Sequence, residues 1–338
     1  MLQHPDSPIA PKFSGSLGGR WNHAAAEYVQ VGMPQFPTDR VGLIHRSAVI
    51  DAGLTDDHLR HALRRREIER VIRGVFVHAA DRTPLDRHRL KAIAAAQLNS
   101  SGFPLSFQSA AVLLGLQMLR PDLSRVHTTT RTGDGYRTAT QHCHAAPLAD
   151  DDIVNVDGCT VTRIERTAVD VAATAHDFAA ALAVMDSALR SGADREVMAA
   201  MLTGRRRGAA QARRALHLAD PAAENPGESW SRAQLIDAGL PKARLQHTFV
   251  DAHGNHVART DFDWEGRLVG EFDGKVKYAK LLRPGENPSD VVVREKARED
   301  ALRRMGVMVV RWTWADLDKG LVADIVRGWL ARLGLIAA

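Results

Sequence analysis

The spacing of hydrophobic and polar positions changes along this chain, and each change predicts an element. From Val41 to Asp51 the apolar residues suit a short helix, which Gly53 breaks. Thr55 then caps a second helix, with Asp56 and Asp57 in its first turn and Arg64, Arg65 and Arg66 in its last. Ile68 to Ile72 and Val75 to His78 read as two strands about Arg73-Gly74, a hairpin. Helix, tight turn, helix and β-wing over 41–80 is the order of a winged helix-turn-helix. Residues 1–40, rich in Pro, Gly, Ser and His without a period, read as a disordered or loose extension.

Over 81–220 the pattern predicts a helix from about Leu85 to Asn99 and another starting at Ser106. Val126–Thr130 and His142–His144 alternate like strands. Val161–Thr167 leads into a helical stretch, Ala168 to Ala175. A longer amphipathic helix follows, with Phe178, Leu182, Met185 and Leu189 as its core stripe. Arg205-Arg206-Arg207 and Arg213-Arg214 bracket a short helix, and either grip phosphate or face solvent. Pro221–Pro226 suits a linker. Beyond it the pattern gives a helix over 226–238, then strands near 244–250, 257–264 and 267–273. A helix over 290–305, a strand over 307–312 and a last helix from about 315 complete the chain, with Gly306 as a helix stop. The helix over 290–305 is expected to bury Val293, Ala297, Ala301 and Met305. Arg294, Lys296, Arg298 and Arg303 would then interleave with acids on its solvent side.

The densest chemistry lies in Arg259–Trp264 and Gly270–Tyr278, two predicted strands joined by Glu265-Gly266-Arg267. Alternation places Asp261 and Asp263 on one face, and Glu271 and Asp273 on one face of the next strand. A hairpin can bring the pairs together, and clustered carboxylates require a hard cation such as Mg²⁺ or Mn²⁺. Lys275 or Lys277 would then stabilise charge on a phosphate or orient a water. Glu228 follows the predicted N-cap Asn225 by three, so it suits either a capping role or metal and water binding. His142 and His144 share a strand face, and His127 can lie near them. That trio could take a metal, though half-exposed strand histidines are the simpler account.

Composition narrows the options. At 338 residues the chain has room for two or three domains, and 45% hydrophobic with 25% charged residues is ordinary for a globular protein. A net charge of +5, with a pI near 9.5, mildly favours an anionic partner. Cys143 and Cys159 are too few for a disulfide framework and suit a reducing cytoplasm. No apolar run approaches the roughly 18 residues of a membrane span, and no secretory leader is legible. Only 3 Tyr and 9 Phe argue against a stacking platform for single strands.

Two families are similar. An Asp, a gap, then Glu-x-Asp-Gly-x-x-Lys (Asp261, Glu271, Asp273, Gly274, Lys277) resembles the core of PD-(D/E)XK nucleases, closest to their Vsr-like, very-short-patch-repair branch. The likeness extends to Asn225-Pro226-Gly227-Glu228-Ser229, to Arg294–Arg303 and to Gly306–Trp312, over about 222–335. One departure stands out: Asp273 occupies the position where the family usually has a lysine. Residues 41–80 resemble the winged helix of AbiEi-type antitoxins in Ala52-Gly53-Leu54 and Arg73-Gly74-Val75-Phe76. Residues 81–220 resemble the middle region of those proteins in Leu105-Ser106-x-x-Ser109-Ala110-Ala111 and Arg166-Thr167-x-x-Asp170.

Together these readings imply a multidomain α+β chain: a winged helix-turn-helix, an α/β middle domain and a restriction-endonuclease-like α/β domain. They imply a Mg²⁺- or Mn²⁺-dependent DNA endonuclease of genome defence or repair. Asp261, Glu271 and Asp273 would be metal ligands, and Lys277, Lys275 and Glu228 would assist. Arg60, Arg64, Arg65, Arg66, Arg70 and Arg73 would contact DNA. The alternative is an antitoxin-like regulator with an inactive nuclease domain. A cytoplasmic protein without membrane contact is expected, as a homodimer or with a partner encoded nearby.

Overall fold

The computed structural model describes residues 35–99, 101–205, 207–274 and 288–337, a mixed α and β chain with several small sheets. At the N-terminal side, β1 (Leu43–His45), β2 (Ile68–Ile72) and β3 (Val75–His78) form an antiparallel sheet in the order β1-β3-β2. Helices α1 (Arg46–Asp51) and α2 (Asp56–Arg64) pack beside it. The expected helix from Val41 therefore starts late. Leu43 and Ile44 are consecutive and both 0% exposed, and they enter two different cores. Only an extended chain sends neighbouring side chains to opposite faces. The expected loose extension ends earlier than 40: Phe36 is buried against Ile44, Val49 and Leu59. Residues 1–34 lie outside the described residues.

The middle of the chain holds α3 (Pro84–Leu98) and α4 (Phe107–Leu113), then β4 (Val126–Thr130), β5 (Tyr136–Arg137) and β6 (Gln141–Ala145). β4 and β6 run parallel, and β5 joins β6 antiparallel. The hairpin β7 (Ile153–Val156) and β8 (Cys159–Thr162) leads into α5 (Ile164–Thr174), α6 (Phe178–Arg190), α7 (Arg195–Met201) and α8 (Ala209–Leu218). Phe178, Leu182 and Met185 sit in the helical core, as their spacing predicts. Arg166 bonds Asp170 at 2.8 Å and Asp152 at 3.1 Å, and the Thr167 hydroxyl donates to the Thr162 carbonyl at 2.9 Å. That motif holds β8 to α5. Arg213 and Arg214 lie within α8 rather than flanking it. Arg213 donates to the Leu202 carbonyl, and Arg214 stacks on Phe178 and pairs with Asp237. They serve packing, while Arg206 lies outside the described residues.

The C-terminal part comprises α9 (Pro226–Asp237), β9 (Arg244–Val250), β10 (His256–Trp264), β11 (Leu268–Asp273), α10 (Pro288–Arg304), β12 (Met308–Thr313), α11 (Trp314–Asp318) and α12 (Val322–Arg332). Its sheet has the order β12-β11-β10-β9, antiparallel except for β11 with β12. The hairpin between β10 and β11 turns on Glu265 and Gly266, both at positive φ (55° and 67°). Such a turn matches the strand twist. α9 and α12 cover one face around Phe262, Trp264, Leu268 and Trp312. On the other face Leu302 of α10 packs with Phe249, Ala258 and Val269.

The rotation of α10 differs from the expected one. Val293 is 68% and Met305 is 44% exposed, while Leu302 is fully buried and Arg298 is directed at the sheet. Arg298 and Leu302, one turn apart, form the side of this helix that faces the sheet. The expected linker is partly covered: Ala223 is buried while Pro221 and Glu224 are exposed, and α9 packs directly on α6. The joint is polar. Arg232 donates to both oxygens of Asp186 at 2.8 and 2.7 Å, Ser229 donates to Asp186 at 2.8 Å, and the Asp220 N–H adds another bond at 2.8 Å. Among the described residues, no helix is long and apolar enough to cross a membrane.

Arg232→Ala strands the fully buried Asp186 without its cation. A loss of about 3–5 kcal/mol is expected in urea unfolding, because a lone buried charge is costly. Removing both partners, as Asp186→Leu with Arg232→Leu, should recover part of it.

Candidate active site

Three elements bring carboxylates to the central strands of the C-terminal sheet. Glu228 comes from the first turn of α9. Asn225 caps that helix by accepting from the N–H groups of Gly227 (2.9 Å) and Glu228 (3.0 Å). The Glu228 side chain does not close a simple capping box. It accepts from the Glu224 N–H at 2.7 Å, from the Asn225 side chain, and from Gln246 Nε2 at 3.0 Å. Gly227 makes the close approach feasible, since a Cβ there would fall 2.0 Å from the Phe272 ring on β11. Gly270 has the same reason: a Cβ would meet Trp312 at 2.3 Å.

Asp261 on β10 and Glu271 on β11 come from the hairpin. The ladder pairs Phe262 with Gly270, so the preceding and following residues, Asp261 and Glu271, meet across the strands. Asp261 accepts from the Phe272 N–H at 2.9 Å. β9 supplies Gln246, placed across from Asp261 between the pairs Thr260–His247 and Phe262–Leu245. Its backbone has φ 51°, in the left-handed region, and its amide reaches Glu228.

The electrostatics are unbalanced on the Glu228 side. Glu228 is 4% exposed, and burial, with the Asp261 carboxylate nearby, pushes its pKa up to about 7. Burial also raises Asp261, the Phe272 N–H opposes it, and Glu271 pushes it further up. Among the described residues neither Glu228 nor Asp261 has an ion-pair partner. Glu271 does: Arg298 of α10 lies at 2.7 Å and Arg311 of β12 at 2.8 Å. Those arginines also pair with Glu295 and Glu299.

The other expected site residues fall as follows. Asp273 ends β11 and is exposed, on the same strand face as Glu271. Among the described residues the oxygens of Asp261, Glu271 and Asp273 do not all gather within 4.8 Å of one another. By the same measure Glu228, Asp261 and Glu271 do not gather either; Gln246 reaches Glu228, and Asp261 faces Glu271 across the strands. Asp263 is fully buried away from this group, bonded to Arg244 at 3.0 Å and to the turn N–H of Gly266 at 2.9 Å. Lys275 and Lys277 lie outside the described residues. Gln246, Arg298 and Arg311 are site residues the pattern did not single out. Only a positive φ in an otherwise regular strand, which no glycine or turn residue announces, marks Gln246.

On the N-terminal sheet, Arg60 pairs with Asp57 (2.8 Å), Arg65 with Glu67 (2.7 Å), and Arg46 with Asp56 (2.6 Å). Arg70 lies 5.8 Å from the Phe76 ring centre. Arg64, Arg66 and Arg73 are exposed, and among the described residues none of them has an ion-pair partner.

The raised Glu228 has a definite sign in stability. Between its ordinary pKa of 4.5 and its folded value near 7, the folded chain keeps a proton that the unfolded chain releases. Stability from this group is therefore lost as pH rises through that window. Glu228→Gln should raise Tm relative to wild type at pH 8 and change it little at pH 4.5, by thermal unfolding at both. At about 1.4 kcal/mol per pKa unit the gain is a few kcal/mol at most.

No family model matches this chain. Two uncharacterized proteins of Mycobacterium tuberculosis, Rv2248 and MT2308 of two strains, are each 36% identical to it over 160 residues. The match takes in 42% of this chain and 56% of each relative, so the chain spans little more than half the length of the curated relatives it matches. The crystal structure of the RV2827C protein from Mycobacterium tuberculosis is similar at a TM-score of 0.37 and 17% identity, over 64% of this chain and 84% of that one.

Proposed function

We propose that the chain is a metal-dependent DNA endonuclease of the PD-(D/E)XK type, Vsr-like over about 222–335, with an AbiEi-like winged helix for duplex binding. The observation that carries the reading is the pair Glu228 and Asp261, half-buried to buried carboxylates without a cation partner among the described residues, with Glu271 beside them. Oxygen ligands alone suit Mg²⁺ or Mn²⁺. Glu228, Asp261 and Glu271 would hold the ion, which when bound makes a water acidic and offsets charge on phosphate oxygens. Glu228 exchanges its proton near neutral pH, where a general acid or base works best. Gln246 orients it. Arg298 and Arg311 pair with Glu271 and place positive charge at the rim. The sheet and its covering helices, with α9 supplying an acid from one end, agree with the fold that the motif order suggests.

The regulator reading keeps one specific support. Glu271 is already satisfied by two guanidiniums, and Asp273 stands where the family has a lysine.

Supercoiled plasmid incubated with the full chain should be nicked in Mg²⁺ or Mn²⁺ and left intact in EDTA. Asp261→Ala and Glu228→Ala should each reduce nicking to background while duplex binding in EDTA persists. Wild-type protein that binds duplex but never cuts would transfer the case to the regulator. Mn²⁺ binding should release protons near pH 7 and tighten from pH 6 to pH 8, by calorimetry in buffers of different ionisation heat, because the ion must displace the Glu228 proton.

Duplex affinity should fall steeply with salt. Arg64→Ala, Arg66→Ala and Arg73→Ala together should flatten the dependence of log K on log salt by about 0.9 for each phosphate that the variant no longer neutralises. Unchanged slopes at two or more salt concentrations would make the module a protein-binding one.

A further inference from the structure

We infer that His127, His142 and His144 form a second, separate metal site on the middle sheet, selective for a borderline divalent ion, Zn²⁺ above all. The parallel ladder pairs His127 with His142 and Thr129 with His144, so the three imidazoles share one face of β4 and β6. Cys143 between them turns to the other face and is buried there. One ring nitrogen from each histidine lies within 4.8 Å of the other two.

The geometry is near that of a zinc site. His127 Nδ1 and His144 Nε2 are 3.0 Å apart and share a proton. Tetrahedral zinc with Zn–N of about 2.0–2.1 Å sets ligand nitrogens about 3.4 Å apart. Opening the pair by a few tenths of an ångström puts an ion where the proton now sits. The rings of His142 and His144 are 3.7 Å apart, and those of His127 and His142 are 5.4 Å apart. A slight rotation of His142 completes three ligands.

The surroundings hold these rings in place. Phe107 stacks on His144 at 3.7 Å and 18°, and does so from a backbone φ of 49°, a strained conformation for a bulky residue. The His127 N–H donates to Ser109 Oγ at 2.8 Å, and Ser109 Oγ also meets His88 Nε2 at 2.9 Å. α4 thus fixes both ends of the site. Burial, with the neighbouring histidines, keeps His127 near 4 and His144 near 3, so both rings are neutral at neutral pH. Thr129, 0% exposed, follows His127 by two on β4 and so shares its face, and its hydroxyl has no hydrogen-bond partner among the described residues. It suits a water in the fourth coordination position, as in a three-histidine site left open. Three imidazoles without a carboxylate prefer Zn²⁺, Co²⁺ or Ni²⁺ over the Mg²⁺ expected at the acidic site.

The test uses the full chain, stripped with EDTA, dialysed, and titrated with Zn²⁺ in excess Mg²⁺. Wild type should bind one Zn²⁺ per chain and gain Tm. His142→Gln and His144→Gln should each weaken binding roughly tenfold or more, and the triple glutamine variant should lose it. Circular dichroism checks that each variant is folded. Co²⁺ in the wild type gives a second measurement that needs no variant, since four-coordinate imidazole ligation has its own visible absorption. A folded triple variant that binds Zn²⁺ like wild type overturns the inference, and so does wild type without Zn²⁺ uptake or without the four-coordinate Co²⁺ spectrum. Plasmid nicking in Mg²⁺ should be the same in His144→Gln as in wild type, which separates this site from the nuclease reading.

Discussion

Asp186 has no access to water, and its two oxygens meet Arg232, Ser229 and a backbone N–H. A carboxylate that deep in a helical core is tolerable only when every lone pair is answered. The answer comes from α9, which is thereby clamped in orientation as well as in place. α9 in turn carries Glu228 at its N-terminal end and buries Ala233 and Leu235 at its middle. The helical middle and the C-terminal sheet therefore share this helix. The acidic group depends on a charge pair in another element, α6.

The same logic recurs at smaller scale. Arg166 between Asp152 and Asp170 joins a hairpin to the helix that follows it. Arg298 and Arg311 draw α10 and β12 to Glu271. Large-to-small contacts do the rest: Gly227 and Gly270 exist because aromatic rings occupy the space of their missing side chains. Polar bonds choose the orientation of elements here, and apolar packing fixes their separation.

Local signals account for what was legible in the sequence. β2, β3, β9 and β11 fall where alternation put them, and Glu265-Gly266 marks the turn between the acidic strands because glycine there accepts a positive φ. The acids Asp261 and Glu271 were legible for the same reason, since facing positions follow from a tight turn. What failed was decided at long range. β1 is a strand because two cores meet at Leu43 and Ile44, which lies beyond any window of the sequence. α10 turns Arg298 to Glu271, 27 residues away, and Leu302 to the sheet, leaving Val293 and Met305 exposed. Gln246 carries a positive φ inside a regular strand, and the ion pairs of Arg60 and Arg65 with nearby acids mask charges that composition counts as available.

β12 reaches β11 in parallel, only after α10 has crossed the face of the sheet. β9, β10 and β11 are joined by short turns and can pair as soon as they leave the ribosome. A parallel partner must wait for its crossover, and such closures are slow. For that interval Glu271 stands beside Asp261 without the guanidinium that β12 brings, Arg311.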